Sequence, residues 1–302
     1  MRVVFAGTPA FALPALQWLI DRGMPPVAVM TQPDRPAGRG RRLTASPVKQ
    51  LAESSGITVW QPESLKSDAA ATQLANWQPD LLVTAAYGLL LPQVVLDAPT
   101  VGCWNLHASL LPRWRGASPI QQAILAGDEQ TGVSLMRMTA GLDAGPVYHQ
   151  QAIAINSRET AGQLHDRLAR LAADLLDWGL DRLERGCLSE PVAQDPSGVT
   201  HAPLIRREDA RLDWGKDAMK LDRQVRAFNP WPVAFAEVAG ETVRILESLP
   251  VELTGPPGER LTVPGRIVIG CGQGALEVLR LQAPGKKPVS ARDWLNARFD
   301  WR

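Results

Sequence analysis

The chain has 302 residues, of which 45% are apolar and 21% charged, and its net charge is +1. That length supports two domains with separate cores, and the proportions are those of a soluble globular protein. A charge so near zero excludes indiscriminate coating of nucleic acid, so any such contact must come from local patches. No apolar run approaches the ~20 residues that span a bilayer. The opening MRVVFAGTPAF reads as a strand and turn and not as a signal peptide, because its apolar stretch is short and enters Gly-Thr-Pro at once. Cys103, Cys187 and Cys271 are far apart and lack zinc spacing, which predicts reduced thiols in a cytoplasmic protein.

In chain order, residues 2–5 and 27–31 read as short buried strands, with Phe11, Leu16, Leu19 and Ile20 on a helix between them. Residues 31–49, TQPDRPAGRGRRLTASPVK, carry Arg35, Arg39, Arg41, Arg42 and Lys49 against the single acid Asp34. Pro and Gly keep this segment from being a plain helix. It reads as a solvated loop or as a basic arm that grips phosphates. Ser46 caps the helix that follows, with Pro47 at its first position. Residues 80–88, 101–109, 131–139 and 148–155 are further strands, so the first part predicts a mainly parallel sheet covered on both faces. From 159 to 185 Leu164, Leu168, Leu171, Leu175 and Trp178 recur at steps of four and three, an amphipathic helix that Gly186 stops. CLSEPVAQDPSGVTHAP, within 187–205, is rich in Pro, Ser and Gly and reads as a linker. A short helix over 216–228 precedes apolar runs broken by Gly and Pro (PVAFAEVAG, TVRILES, GRIVIGCG, ALEVLRLQAP), the rhythm of a small β-barrel. Three regions follow: 1–186, a linker 187–205, and 206–302.

The chemistry-bearing residues narrow the function. FAGTPAF follows a strand and opens a helix but has one glycine where a dinucleotide fingerprint has three, so NAD is not expected. His149, His165 and His201 each stand alone, with no spacing for a metal; His165 reads as a helix-surface or packing residue. His107 differs, because Asn105 points to the same side of its strand by the two-residue period. Alone, that pair reads rather as buried polar groups that satisfy each other. Asp143, in the Gly-flanked turn TAGLDAGPV, reads alone as a turn-former. If the 131–139 and 101–109 strands are neighbours, Asp143 reaches the same carboxyl edge and an Asn/His/Asp constellation results. Asn105 would then donate to a developing oxyanion, His107 would donate or move a proton, and Asp143 would orient His107 or relay protons. This equipment suits acyl transfer between two amines.

HASLLPRWRG, residues 107–116, resembles the H-x-S-L-L-P signature of the 10-formyltetrahydrofolate-dependent formyltransferases. The resemblance implies that Asn105, His107 and Asp143 carry catalysis and that Ser109, Leu110, Leu111 and Pro112 border the folate. AAYGLLLP, residues 85–92, resembles the strand and loop that line the pterin pocket, which implies a role for Tyr87, Gly88 and Leu89. The implied fold is α/β: a Rossmann-like formyltransferase domain with a mainly parallel sheet and no NAD, joined to a C-terminal OB-like β-barrel. Nearly end to end, DRPAGRGRRL, AFNPWP and the terminal GKK-x-x-SA-x-D-x-LN-x-R resemble the branch of that family that formylates methionyl initiator tRNA. That likeness implies 10-formyltetrahydrofolate as the donor cosubstrate. The His and Cys spacing predicts no metal, the hydropathy no membrane, and nothing in the sequence demands a partner, so a monomer is expected. The likeness also implies tRNA contacts from Arg35, Arg39, Arg41, Arg42, Lys49, Lys286 and Lys287. The departures are Arg41 and Arg42, where lysines are frequent in the family, and Val289, where methionine is common. Charge is kept at the first two, although Arg and Lys contact phosphate differently.

Overall fold

The computed structural model describes residues 1–37, 42–238 and 240–298, apart from the side chains of Ala37 and Asp68. Contacts divide the chain into two compact units. The first comprises Met1–Pro119, Thr131–Ile153 and His165–Ala202. The second comprises Ile120–Gln130, Ala154–Leu164 and Pro203–Arg302.

The first unit is built on a seven-stranded sheet. Its order is Val147–Ala154, Gln130–Arg137, Gly102–His107, Leu81–Ala85, Val3–Gly7, Ala28–Met30 and Val59–Trp60. The pairs from Gly102–His107 through to Val59–Trp60 are parallel, with Val4 opposite Ala28 and Thr84 opposite Asn105. Every residue of Val3–Gly7 and Leu81–Ala85 is buried, as expected where helices cover both faces. Gln130–Arg137 runs antiparallel to Gly102–His107, with Met136 opposite Asn105 and Ser134 opposite His107. The two strands are therefore neighbours, as the sequence reading required, but they point in opposite directions.

The Ala161–Glu184 helix buries Leu168, Leu171 and Leu175. Its close approach to the sheet depends on Gly179, where a Cβ would lie 2.6 Å from Leu135 and 3.1 Å from Trp104. Trp178, expected on the buried stripe, is only half-buried; it stacks on His149 at 4.2 Å and lies under the Arg182 guanidinium. The helix ends as the sequence predicts. Gly186 adopts φ +65°, and the Cys187 amide donates to the Arg182 carbonyl at 2.9 Å. His165 packs edge-on against Phe11 at 5.7 Å, a packing role.

Two features were not legible. Val59–Trp60 adds an edge strand, and the basic segment forms a hairpin, Arg35–Ala37 against Arg42–Thr44, ahead of the helix that Ser46 caps. The 187–202 stretch, read as linker, runs back over the first unit. Val192 exchanges backbone hydrogen bonds with Val147, and His201–Ala202 pairs in parallel with Arg115–Gly116.

The second unit holds an antiparallel sheet in the order Phe235–Val238, Glu241–Val251, Ala275–Gln282, Ile267–Gly270 and Arg260–Leu261, with Val289–Ser290 beside Ala275–Gln282. The sheet curls into a half-barrel consistent with an OB-like domain. Register shifts around Glu247 mark a bulge, the usual device for bending a long strand. The Ala218–Ala227 helix, capped by the Asp217 carboxylate, brings Leu221 and Val225 into one core with Ile245, Ile267 and Leu276. Among the described residues, no helix is long and apolar enough to cross a membrane.

Candidate active site

Asn105 and His107 stand near the carboxyl end of the Gly102–His107 strand, and both meet Asp143. Asn105 Nδ2 lies 3.4 Å from Asp143 Oδ1, and His107 Nδ1 lies 3.6 Å from Asp143 Oδ2. The route differs from the one the sequence suggested. Because Gln130–Arg137 is antiparallel, its end faces the start of the Asn105 strand, not the carboxyl edge. Asp143 reaches the pair because the loop after that strand turns back toward Arg115–Gly116, where the Gly116 amide donates to Asp143 Oδ2 at 2.8 Å.

The hydrogen bonds orient each group. The Thr84 hydroxyl lies 2.9 Å from Asn105 Oδ1 and 3.1 Å from the Trp104 carbonyl, so the Asn105 oxygen faces a donor and its NH2 faces Asp143. His107 Nε2 lies 2.9 Å from the Trp114 carbonyl, which can only accept, so that nitrogen carries a proton. Nδ1 is left toward Asp143 in a contact too long for a good hydrogen bond. His107 and Asp143 side chains are only 7% and 13% exposed, so little water screens the pair. Asp143 and Trp114 both adopt left-handed backbone, φ +47° and +62°. Such conformations cost an L-residue on the order of 1 kcal/mol and persist where the surroundings over-determine them.

The remaining site residues fall into place differently. Ser109 is fully buried. Its hydroxyl donates to the Arg113 carbonyl at 2.6 Å, and its own carbonyl accepts from Ser134 at 2.6 Å. Leu110 is half-buried against Gly132. Leu111 and Pro112 line a cavity of about 420 Å³ with Tyr148, His149, Gln150 and Gln194; Asn105, His107 and Asp143 do not border it. Tyr87 and Leu89 pack on the core around Val4, Met30 and Leu82. Burial raises the Tyr87 hydroxyl pKa, while the Tyr87 carbonyl accepts from Thr8 and Gln32. Gly88, at φ +83°, lies against the Gln32 side chain, where a Cβ would clash. The Ser109 and Tyr87 side chains thus shape their loops from within.

Of the basic residues, Arg35 and Arg42 are exposed on the hairpin, and Lys286 and Lys287 are exposed in the second unit. Lys49 is paired with Asp34 at 2.7 Å, and that pairing, with a hydrogen bond from Gln61, holds the Asp34 carboxyl below its ordinary pKa. Arg39 and Arg41 lie outside the described residues. Burial pushes the Cys103 thiol up to about 12, which makes it a protonated core residue and no nucleophile. Sequence reasoning missed Thr84, which orients Asn105, Gly116 and Gln194, which hold Asp143, and the exposed apolar Leu142. Of these only Leu142 left a sequence signal, as a large apolar residue in a loop; Leu90, also exposed, lies in the 85–92 segment already assigned to the pterin pocket.

Amide and imidazole donors beside a half-buried carboxylate, on the rim of a mainly parallel sheet, equip an enzyme for direct acyl transfer. The family described as formyl transferase matches residues 1–177, and its C-terminal domain matches 204–298. The chain belongs to the formyl transferase family. It is 56% identical over 308 residues to the methionyl-tRNA formyltransferase of Stenotrophomonas maltophilia, covering 100% of the chain and 99% of that relative. Among solved structures it is similar to WlaRD, a sugar 3N-formyl transferase, with a TM-score of 0.69 and 15% identity over 95% of this chain and 99% of that one. It is also similar to HypX from Aquifex aeolicus in complex with tetrahydrofolic acid, with a TM-score of 0.66 and 20% identity over 98% of this chain. It spans 47% of HypX, about half its length. At these identities the structural likeness is one of fold.

Proposed function

We propose that the chain transfers the formyl group of 10-formyltetrahydrofolate to the α-amino group of methionyl initiator tRNA. The observation that carries this reading is the likeness, at 56% identity and over the full length of both chains, to a methionyl-tRNA formyltransferase. The site supplies the chemistry. Asn105 Nδ2–H stabilises the oxygen of the tetrahedral intermediate, and the His107 ring, held by its Nε2–H on the Trp114 carbonyl, stands beside it to donate or move a proton. Asp143, held at Oδ2 by Gly116, accepts at Oδ1 the proton of the attacking amine and returns it to the leaving folate nitrogen. The new bond joins amine and formyl carbon; the bond to the folate nitrogen breaks.

Tyr87, Gly88 and Leu89 shape one wall of the folate site, and Ser109, Leu110, Leu111 and Pro112 shape the loop that follows His107. Leu90 and Leu142, 70% and 59% exposed, offer the apolar surface a pterin ring would cover. Arg35, Arg39, Arg41 and Arg42 supply phosphate contacts from the basic 31–49 segment. Lys49 joins them by exchanging Asp34 for a phosphate, and Lys286 and Lys287 contribute from the second unit. The enzyme acts as a cytoplasmic monomer on this reading, since one chain supplies all three catalytic groups.

The test is incubation with charged initiator tRNA and the folate donor, followed by the mass of the released aminoacyl group. A gain of one formyl group on methionine is expected; formylation of an amino sugar nucleotide and not of the tRNA would overturn the reading. In the same assay, replacing Arg39, Arg41 and Arg42 with Gln should raise KM for tRNA. It should also flatten the salt dependence of kcat/KM by about two to three log units per log unit of salt, near one per lost phosphate contact. KM for the folate should not move. An unchanged salt slope would remove the segment from the tRNA interface.

A further inference from the structure

We propose that Gln194 is a positioning residue for Asp143, and that the 192–202 stretch is the strap that presents it. The inference rests on the formyl-transfer reading above. Gln194 Nε2 donates to the Asp143 carbonyl at 2.8 Å and to the Gly145 carbonyl at 2.7 Å, so it holds the catalytic loop by its backbone. Its Oε1 accepts from Arg115 Nη2 at 2.8 Å and Nε at 3.0 Å. Arg115 adjoins Gly116, whose amide holds the Asp143 carboxylate. One side chain therefore ties the backbone of Asp143 to the strand that fixes its carboxylate.

The strap is tied down on both sides of Gln194. Val192 pairs with Val147 just before Gln194, and the Asp195 carboxylate accepts from the Ser197 amide just after it. Further on, Thr200 and His201 pair with the Arg115 strand. The arrangement has a reason in the backbone. Asp143 sits at φ +47°, which an L-residue leaves when nothing restrains it. Removing both donated hydrogen bonds lets the loop relax toward ordinary conformations and carries the carboxylate away from Asn105 and His107.

The experiment is a double-mutant cycle read by single-turnover formyl transfer to methionyl initiator tRNA. Gln194→Leu keeps the volume and removes all four hydrogen bonds. It is expected to lower the rate about 10- to 100-fold, in the range of a group misplaced from outside the reaction centre, with KM for both substrates within about twofold. In the Asp143→Ala background the same change should have almost no effect, because the group it positions is gone. Gln194→Glu keeps the Arg115 contact but turns an oxyanion toward two carbonyls, so it should be at least as slow as Gln194→Leu. Arg115→Met, a milder change that leaves Gln194 both donors, should give a smaller loss that likewise vanishes in the Asp143→Ala background; it serves if Gln194→Leu does not fold. Full additivity with Asp143→Ala, or a Gln194→Glu enzyme as fast as wild type, overturns the clamp while wild-type transfer stands. No transfer by the wild-type chain overturns the formyl-transfer reading and the clamp together.

Discussion

Replacing Asn105 with alanine should slow one turnover of formyl transfer about 100- to 1000-fold, with KM for both substrates nearly unchanged. An N–H donor that meets the substrate oxygen strongly only once that oxygen bears charge lowers the barrier and does little for ground-state binding. The geometry lets this be measured without damage to the fold. The Thr84 hydroxyl that orients Asn105 also lies 3.1 Å from the Trp104 carbonyl, so truncation leaves it a partner. Asp143 keeps the Gly116 amide. Rapid-quench kinetics on wild type and variant, with circular dichroism as the control for folding, gives the ratio. A loss of less than about tenfold, some 1.4 kcal/mol, would remove Asn105 from the oxyanion site.

The largest expected effect on stability lies in the second unit. Asp222 is 4% exposed on the Ala218–Ala227 helix. Its Oδ1 accepts from Ser248 at 2.9 Å and from Arg158 at 3.2 Å, and its Oδ2 accepts from Arg226 at 2.8 Å. The Arg226 side chain is itself only 12% exposed. Asp222→Ala leaves that guanidinium without its counter-ion and the buried Ser248 hydroxyl without its acceptor. Breaking a buried pair on one side costs about 3–5 kcal/mol, a large fraction of the stability of a typical domain. Urea unfolding should show a matching fall in the midpoint. Asp222→Asn, which keeps an acceptor for Ser248, should lose less. An Asp222→Ala protein within about 0.5 kcal/mol of wild type, the range of ordinary surface changes, would show that the network contributes no stability.

Local rules were readable in the chain itself. The two-residue period put Asn105 and His107 on one side of a strand, and both meet Asp143. Ser46 before Pro47 marked a helix start, and its hydroxyl accepts from the Lys49 amide at 3.1 Å. Gly186 marked a helix stop and adopts the left-handed backbone that only glycine enters freely. Each signal depends on the backbone geometry of a few consecutive residues, so a short window contains it.

The direction of the Gln130–Arg137 strand was not readable, because a fully buried strand has the same residue pattern in a parallel or an antiparallel pair. Asp143 reaches the carboxyl edge through a returning loop held by Gly116 and Gln194, which lie 27 and 51 residues from it in sequence. Nor does a Pro-, Ser- and Gly-rich composition reveal where a segment docks. It reports that residues 187–202 form no long helix or strand, and it is silent on the hydrogen bonds their side chains make at a distance. Sequence alone thus determined which residue types stand ready for acyl transfer and which short segments carry them. Only tertiary structure decided how a carboxylate arrives beside the amide and imidazole, because that depends on contacts between residues far apart along the chain.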